Sequence, residues 1–387
     1  MNVPAAVTAL GEVLDALALV DHHVHGAFAA DIDRDALEEA ITESDRAAAP
    51  GVSSFDSQLG FALLRWCAPL LDLPPHAAPE AYAARRLELG AGEVNRRLLS
   101  AAGIGYFLVD TGLRGDELLG VDAMAAASGQ RAAEVVRLEA LGEEVANAGV
   151  TAAAWADTVR RRLAERLEAG AVGTKSIVAY RHGLDVPAER PEAAAVTGSA
   201  GRWLADVART GRARLTDPVL LSWLLWTGID AGVPLQIHTG FGDTDLHLAR
   251  ANPLLLTDFF KLTERAGTPI VLLHCYPYHR EAGYLAQMFP CVYFDVGVAV
   301  NYLGAQSRQV VAESLEVAPF AKQLFSTDAF GPSELHLLGA QLWRRAFAAV
   351  VGDWVDADDW SAAEAARVAR MIGVDNATAL YRLASPG

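Results

Sequence analysis

The sequence predicts an α/β fold of the (β/α)8 (TIM) barrel class, and three features of the chain predict it. Eight short apolar runs have the length of buried strands, and segments with helical periodicity separate them. Polar residues follow several of these runs directly. The chain has 387 residues, of which 52% are hydrophobic, and this suits a single barrel that carries insertions. We therefore predict one domain over residues 1–387.

The first strand is predicted in the apolar run at residues 17–20, after an N-terminal segment with the pattern of a short amphipathic helix. That segment has no basic region and carries Glu12 and Asp15, so it does not resemble a signal peptide. The longest apolar stretch, residues 219–226, is too short to span a bilayer. These features predict a cytoplasmic protein.

A long excursion separates the first strand from the second, which is predicted at residues 104–110. Its pattern predicts helices at residues 34–42, 61–71 and 79–102. Ser57 or Asp56 is placed to cap the second of these helices. Because an insertion after strand one of a barrel lies over its C-terminal face, we expect residues 27–102 to form a helical lid over the barrel mouth.

The remaining strands alternate with helices. Strands are predicted at residues 134–139, 172–177, 234–237, 269–273, 291–294 and 323–326. Helices are predicted at residues 152–169, 251–266, 281–288 and 305–317. Short apolar runs of this kind indicate a parallel sheet that is buried on both faces. In a barrel of such strands, the residues just past each strand gather at one mouth.

Charge and cysteine content restrict the partners and the compartment. The net charge is −16 and the isoelectric point is near 5.0, so the chain repels nucleic acid and anionic membrane surfaces. The three cysteines are Cys67, Cys275 and Cys291. Their odd number and wide spacing argue against a disulfide framework and against a thiolate metal cluster. We expect a reducing compartment and a small-molecule partner, with no nucleic-acid or membrane partner.

The strongest chemical signal is the stretch LALVDHHVHG at the first strand. Alternate side chains of a strand share a face, so His23 and His25 point the same way, with Asp21 before them on that face. Two imidazoles on one face suit a divalent metal ion. A lone pair of this kind is more often a solvated turn, and the interpretation therefore depends on the other strand ends.

Four further polar residues lie at predicted strand ends. They are Lys175, His238, His274 and Asp328. Each histidine alone is as well explained as a hydrogen-bonded core residue. Strand ends of a barrel converge on one axis, however, and the joint placement of four histidines and an aspartate predicts a metal site.

Longer motifs carry a family resemblance. They are KSIVAYRHGL at 175–184, QIHTGFGD at 236–243, HCYPY at 274–278, FSTDA at 325–329, and the late segments NA at 376–377 and LYR at 380–382. Together with the DxHxH pattern, these motifs resemble the amidohydrolase superfamily, whose members are metal-dependent hydrolases on (β/α)8 barrels. The chain is similar in particular to the amidohydrolase-2 branch and to the amidohydrolase-like domain of FluG- and nodulin-type proteins. The resemblance covers most of the chain.

The resemblance implies a ligand set. His23, His25 and Asp328 would hold one metal ion. His238 and His274 would hold a second, or one of them would ligate while the other faces the substrate. Lys175 would either be carboxylated and bridge two ions or remain a cation that binds a substrate carboxylate. The expected cofactor is zinc, as one or two ions, with manganese or iron as alternatives.

The resemblance also implies catalytic and binding roles. Asp328 would take a proton from the attacking water and return it to the leaving amine, while His274 would stabilise the developing oxyanion. The predicted substrate-binding residues are Lys175, Tyr180, Arg181, Asp243 and Tyr276. Arg181 is the preferred partner of a substrate carboxylate because guanidinium binds carboxylate bidentately, although a loop salt bridge explains it nearly as well.

The other polar residues have simpler expected roles. Asp295 after strand seven would support the site or touch the substrate. His22 is out of phase with His23 and His25 and should point to the barrel wall. The histidines in predicted loops and helices are expected to be surface groups. They are His76, His247, His279 and His336.

Three functions are consistent with these features. The first is that of a metal-dependent amidohydrolase that cleaves the C–N bond of a small carboxylate-bearing amide, with a γ-glutamyl amide as a candidate. The second is non-oxidative decarboxylation or uronate isomerisation on the same metal site. The third is a non-catalytic barrel, which the complete ligand set opposes. We also expect a homo-oligomer.

Overall fold

The computed structural model describes residues 5–384 as an alternation of strands and helices. The strands are β1 (Leu19–Val24), β2 (Ile104–Asp110), β3 (Arg131–Arg137), β4 (Gly173–Ser176), β5 (Leu235–Thr239), β6 (Ile270–His274) and β7 (Val292–Phe294). They follow one another in chain order in a seven-stranded sheet. The neighbours β1–β2, β3–β4, β4–β5, β5–β6 and β6–β7 run parallel. The predicted α/β class with a parallel sheet is confirmed.

The helices lie close to the predicted positions. They are α1 (Ala5–Asp15), α2 (Arg34–Ala40), α3 (Gln58–Trp66), α4 (Pro79–Ala101), α5 (Val121–Ser128), α6 (Leu138–Asn147), α7 (Ala152–Glu168), α8 (Val178–Arg181), α9 (Ala193–Thr210), α10 (Pro218–Asp230), α11 (Thr257–Thr263), α12 (His279–Met288), α13 (Gly297–Leu303), α14 (Ser307–Ser314), α15 (Ser333–Asp356), α16 (Ala362–Arg370) and α17 (Asn376–Leu380). The first four residues of the predicted N-terminal helix lie outside the described residues. None of the helices within the described range combines the length and hydrophobicity needed to cross a lipid bilayer.

The prediction of an eighth strand at residues 323–326 is wrong. This segment runs beside β1, where the backbone nitrogen of His22 donates to the carbonyl oxygen of Phe325. Two more backbone bonds follow, from Asp328 to His23 and from His25 to Ala329. Asp328, two residues beyond this segment, has a φ of 50°, in the left-handed region, so the chain leaves the extended conformation just after it.

Contacts divide the described chain into two compact units. The first unit contains the described residues up to Val109, the segment Leu113–Ala133, and the described residues from Asp295 onwards. The second contains Asp110–Gly112 and Glu134–Phe294. The assignment of residues 1–387 to a single domain stays a prediction.

The helical insertion belongs to the first unit and packs on α15. Ser57 caps α3 as predicted, because its side chain accepts a hydrogen bond from the Gly60 backbone. On α4, Arg86 donates through Nε to Glu334 of α15 at 2.8 Å, and the Tyr82 hydroxyl donates to the same carboxylate oxygen at 2.9 Å. All three side chains are buried. This buried ion pair fixes α4 against α15, while the role of residues 27–102 as a lid stays a prediction.

A buried arginine holds the starts of β1 and β2. The guanidinium of Arg344, on α15, donates to four backbone carbonyls, those of Leu14, Leu17, Ala102 and Gly103. Burial lowers the pKa of Arg344 to about 10. Because these carbonyls belong to the C-terminal part of α1, the segment after it and the turn between α4 and β2, Arg344 ties together the two segments that lead into β1 and β2.

The second unit has its own aromatic core. Trp155 on α7 lies with its ring centroid 5.8 Å from that of Trp203 on α9 and 5.1 Å from that of Trp223 on α10. Its indole nitrogen donates to the carbonyl of Gly142 at 3.1 Å. The Trp155 side chain is thus buried with its one polar atom satisfied. This cluster joins three helices of the second unit.

Candidate metal centre

The first unit brings together three predicted ligands. Nε2 of His23 lies 3.1 Å from Oδ1 of Asp328, and Nε2 of His25 lies 3.7 Å from the same oxygen. The two imidazole rings are 5.2 Å apart and nearly perpendicular. His23 is fully buried, while the side chains of His25 and Asp328 are 8% and 12% exposed. The prediction that His23 and His25 lie on the same face of β1 is confirmed, because both imidazoles approach Asp328.

Asp21 binds Thr327, the residue before Asp328. It thereby positions Asp328. Its carboxylate accepts from the backbone nitrogen of Thr327 at 3.0 Å and from the Thr327 hydroxyl at 2.6 Å. Burial raises the pKa of Asp21 to about 8, although these hydrogen bonds lower it. Asp21 therefore fixes the residue that immediately precedes Asp328. The left-handed backbone of Asp328 costs about 1–3 kcal/mol and persists because its neighbours hold it.

His22 points away from His23, as predicted, and makes its own buried contacts. Its Nε2 lies 2.9 Å from Oδ2 of Asp295, and its Nδ1 lies 3.3 Å from the Tyr381 hydroxyl. The second carboxylate oxygen of Asp295 accepts from the backbone nitrogen of Gly297 at 2.8 Å. Asp295 thus supports the β1 end through His22.

Two histidines expected at the surface are buried instead. His336 is fully buried on α15 and its Nε2 lies 3.2 Å from the carbonyl oxygen of His25, so it supports the same backbone. His279 is 5% exposed, because its ring stacks on Tyr276 with centroids 5.9 Å apart. The surface interpretation is wrong for both residues and right for His76 and His247, which are exposed.

The second unit holds Lys175 beside two charged residues that the sequence interpretation missed. Oδ2 of Asp110, at the end of β2, accepts from Nε and Nη2 of Arg137 at 3.0 and 2.7 Å. Nζ of Lys175 lies 4.0 Å from the same oxygen. Burial by itself lowers the pKa of Arg137, but the Asp110 carboxylate reverses this and the net shift is upward. Asp110 ends a predicted strand, and that position is the signal which could have found it, whereas Arg137 lies inside the predicted strand 134–139 and ends only the observed β3.

Buried Glu139 fixes the end of β4. Its carboxylate accepts from the Ser176 hydroxyl at 2.6 Å and from the backbone nitrogen of Ile177 at 3.1 Å. Burial raises the pKa of Glu139 above its ordinary value, while these two hydrogen bonds oppose the shift. Because Ser176 directly follows Lys175, these bonds restrict where the Lys175 side chain can lie.

His238 and His274 are neighbours in the second unit. Their ring centroids are 4.6 Å apart, and the ring of Tyr180 lies 4.5 Å from that of His238. His274 has a φ of 67° and the following Cys275 a φ of 61°. Two consecutive non-glycine residues in the left-handed region mark a strained turn, a feature that concentrates at functional sites.

The remaining predicted substrate residues have local partners. Arg181 forms an ion pair with Glu143, with Nη1 2.8 Å from Oε1. The Asp243 side chain accepts from the backbone of Asp245 at 2.9 Å, and the Tyr276 ring meets that of Phe241 edge-on at 6.4 Å. Their roles toward a substrate stay predictions.

The donor set of the first unit fits a divalent metal ion. His23 has a donor atom within 4.8 Å of one from His25 and of one from Asp328. Imidazole nitrogen and carboxylate oxygen are the ligands that zinc, manganese and iron accept. Two buried imidazoles and a carboxylate at this spacing are chemically suited to such an ion.

The fold and these residues define an α/β protein with a candidate divalent-metal site. A family model described as Amidohydrolase matches residues 117–383. The chain therefore belongs to the amidohydrolase family. It is also similar to a provisionally assigned metal-dependent hydrolase from Lactobacillus casei ATCC 334, with a TM-score of 0.85 and 29% identity, covering 96% of this chain and 97% of that one.

More distant comparisons agree on the fold. Two uronate isomerases share it, from Thermotoga maritima (TM-score 0.62, 15% identity, 98% of each chain) and from Bacillus halodurans C-125 (TM-score 0.69, 12% identity, 99% of this chain and 98% of that one). The TIM-barrel-like class is thereby confirmed. Protein fluG of Emericella nidulans is 34% identical over 224 residues, which make up 55% of this chain and 26% of fluG. The matched segment spans about a quarter of that relative.

Proposed function

We propose that this protein is a metal-dependent amidohydrolase that cleaves the C–N bond of a small amide bearing a carboxylate. The observation that carries the proposal is the approach of His23 and His25 to one carboxylate oxygen of Asp328. Membership of the amidohydrolase family supports it.

We propose His23, His25 and Asp328 as ligands of a divalent metal ion, with zinc as the preferred ion. His238 and His274 are proposed as further ligands, or as one ligand and one residue that faces the substrate. Lys175 is proposed either as a carboxylated ligand or as a cation that binds the substrate. When bound, the metal lowers the pKa of a water molecule and polarises the scissile carbonyl.

The side chains of the protein have distinct proposed tasks. A carboxylate oxygen of Asp328 accepts the proton of the attacking water, and Asp328 then passes this proton to the leaving nitrogen. His274 donates a hydrogen bond to the developing oxyanion. Tyr180, Asp243, Tyr276 and Arg181 are proposed to contact the substrate.

A γ-glutamyl amide is the proposed substrate, as the resemblance to FluG-type proteins implies. The second candidate is uronate isomerisation or non-oxidative decarboxylation, which the fold shared with two uronate isomerases favours. We further propose that the protein is a cytoplasmic homo-oligomer and that its substrate is a small molecule.

Metal analysis combined with a substrate panel tests the proposal. Purified protein is assayed for bound metal and then for turnover of γ-glutamyl amides, aromatic acids and uronates. Release of amine from an amide, lost in the His23→Ala/His25→Ala variant, supports the proposed function. Turnover confined to the uronates or the aromatic acids overturns it in favour of the second candidate.

A further inference from the structure

We propose that Asn301 is a positioning residue for Asp328 and that it acts by fixing the peptide bond between Thr327 and Asp328. The inference deepens the proposed function and rests on it, because it takes Asp328 as a metal ligand and proton acceptor. Asn301 lies on α13, outside the sequence motifs that predicted the site. All the residues concerned belong to the first unit.

The peptide between Thr327 and Asp328 is held at both of its polar atoms. Nδ2 of Asn301 donates to the carbonyl oxygen of Thr327 at 3.0 Å, and the backbone nitrogen of Asp328 donates to the carbonyl oxygen of His23 at 3.2 Å. Because a peptide unit is planar, these two hydrogen bonds fix its orientation. The φ of Asp328, which is 50° and in the left-handed region, is the rotation of the residue relative to this peptide.

The peptide that follows Asp328 is held by the Thr327 side chain. The backbone nitrogen of Ala329 donates to the Thr327 hydroxyl at 3.2 Å, and this hydroxyl donates to the Asp21 carboxylate at 2.6 Å. Both peptides that flank Asp328 are thus held, and the left-handed backbone between them persists because its neighbours hold it. The same backbone directs the Asp328 carboxylate to His23, so the bond from Asn301 supports the geometry of the candidate site.

The helices α13 and α15 hold Asn301 against Thr327. Gly297 is the first residue of α13, and a Cβ on it would lie 2.8 Å from the carbonyl oxygen of Ser326. On α15, a Cβ on Gly339 would lie 2.6 Å from Cγ2 of Thr327 and 3.0 Å from Oδ1 of Asn301. The two glycines therefore allow both helices to approach this segment closely. Asn301 is 1% exposed and Thr327 is fully buried, so water does not compete for the bond between them.

Packing alone does not explain an asparagine at position 301. Nδ2 of Asn301 has a partner, but its Oδ1 is buried and accepts no hydrogen bond from the described residues. A buried polar atom without a partner destabilises a fold, and an apolar side chain of similar shape avoids that cost. The contribution specific to the amide is the bond to the Thr327 carbonyl, and its consequence is the position of Asp328.

Asn95, on α4, is a matched comparison for Asn301. It is 3% exposed, its Nδ2 donates to the carbonyl oxygen of Phe28 at 2.9 Å, and its Oδ1 likewise has no hydrogen-bond partner among the described residues. The two asparagines make the same kind of bond at the same depth. The Phe28 carbonyl, however, belongs to a peptide that does not flank a candidate ligand.

Chelator competition on the zinc-loaded protein tests the inference. Leucine has the same branching of heavy atoms as asparagine but no amide, so Asn301→Leu removes the bond to Thr327. We expect the chelator concentration that removes half of the zinc to fall about 10- to 100-fold, the usual loss when a residue that supports a metal ligand is replaced. Asn95→Leu is the control and should keep the wild-type value. Thermal melting checks that both variants are folded.

A kinetic measurement separates positioning from substrate binding. At saturating zinc, Asn301→Leu should lower kcat on the amide identified by the panel about tenfold and leave KM unchanged. This split is expected because the variant displaces the proposed proton acceptor and not a substrate contact.

Two further measurements do not depend on how leucine packs. Asn301→Ala removes the amide without adding an atom and should show the same loss of zinc. In the metal-free wild type, hydrogen exchange should find the Asp328 amide protected, because its peptide is held before any ion binds.

Three results would each overturn the inference. They are unchanged zinc retention in both Asn301 variants, an equal loss of zinc in Asn95→Leu, and an Asp328 amide that becomes protected only when zinc is added. The proposed function fails separately. A wild type that binds no zinc and hydrolyses no amide, but protects the Asp328 amide, would overturn the amidohydrolase assignment and leave the role of Asn301 in fixing this backbone standing.

Discussion

Nε2 of His23 lies 3.1 Å from Oδ1 of Asp328, although the two residues lie near opposite ends of the sequence. Backbone bonds make this approach a property of the fold, because the Asp328 nitrogen donates to the carbonyl of His23 itself. Asp21 holds the preceding Thr327 through two further bonds. The two candidate ligands are therefore positioned by the main chain before any ion binds.

Replacing His23 and His25 by alanine should remove bound metal while the protein stays folded. The imidazoles of both residues lie beside the Asp328 carboxylate. Metal content is measured by elemental mass spectrometry and folding by circular dichroism. The double variant His76→Ala/His247→Ala, which changes two exposed histidines, should keep its metal. Full metal content in the His23/His25 variant would show that the ion binds elsewhere.

Asp328→Asn should reduce turnover far more than metal content. The asparagine keeps one ligand oxygen and the side-chain shape but cannot accept the proton, and general base catalysis is worth about 10²- to 10⁴-fold. We expect kcat on the amide identified by the panel to fall by at least this factor, while the histidines retain metal. Near wild-type turnover would move the base to His274.

Lys175 should be found unmodified beside a single metal ion. Its Nζ lies 4.0 Å from Asp110, and a carbamate at this position would place a second anion next to that carboxylate. A crystal structure of the metal-loaded protein and its metal stoichiometry check this. A carbamate between two ions about 3.5–4 Å apart would contradict the expectation and establish the two-metal form.

Arg344→Ala should destabilise the first unit without touching the candidate site. It removes the guanidinium donor from four backbone carbonyls, in two buried hydrogen bonds (to Leu14 and Ala102) and two partly buried ones (to Leu17 and Gly103), and we expect a loss of about 2–5 kcal/mol in the free energy of unfolding. Urea denaturation measures the effect. The adjacent exposed Arg345→Ala is the control and should cost less than about 1 kcal/mol. Equal stability of the two variants would refute the role of Arg344.

The stability of the protein should carry a pH dependence from Glu139. Its folded pKa is raised, so the unfolded carboxyl loses its proton first as the pH rises through about 4.5. The contribution of Glu139 to stability is therefore present below the unfolded pKa and is lost as the pH rises through the folded one.

Urea denaturation between pH 4.5 and 7.5 checks this dependence. The wild type should lose stability relative to Glu139→Gln over this range, because the glutamine carries no proton to lose. Glu168→Gln, at the exposed end of α7, should follow the wild type. A wild-type curve parallel to that of Glu139→Gln would contradict the assignment.

The sequence alone determined the fold class and pointed to the candidate ligands of the first unit. Apolar runs of strand length, separated by helical periodicity, predict a parallel sheet because burial on both faces demands it. The HxH alternation placed His23 and His25 on one face, since the strand period is two. The run at residues 323–326 lies beside β1, although it does not form a regular strand.

Only the tertiary structure decided which charged groups pair and which histidines are buried. His336 has the sequence context of a surface helix, yet α15 packs it against the carbonyl of His25. In the sequence, Arg181 is the preferred carboxylate partner and nothing singles out Arg137. Their pairings with Glu143 and Asp110 are contacts made across long loops that no local pattern encodes. The pairing of charged side chains depends on the folded structure, because the energy of the interaction depends on distance and burial. The periods of strands and helices depend only on the spacing of residues in the sequence.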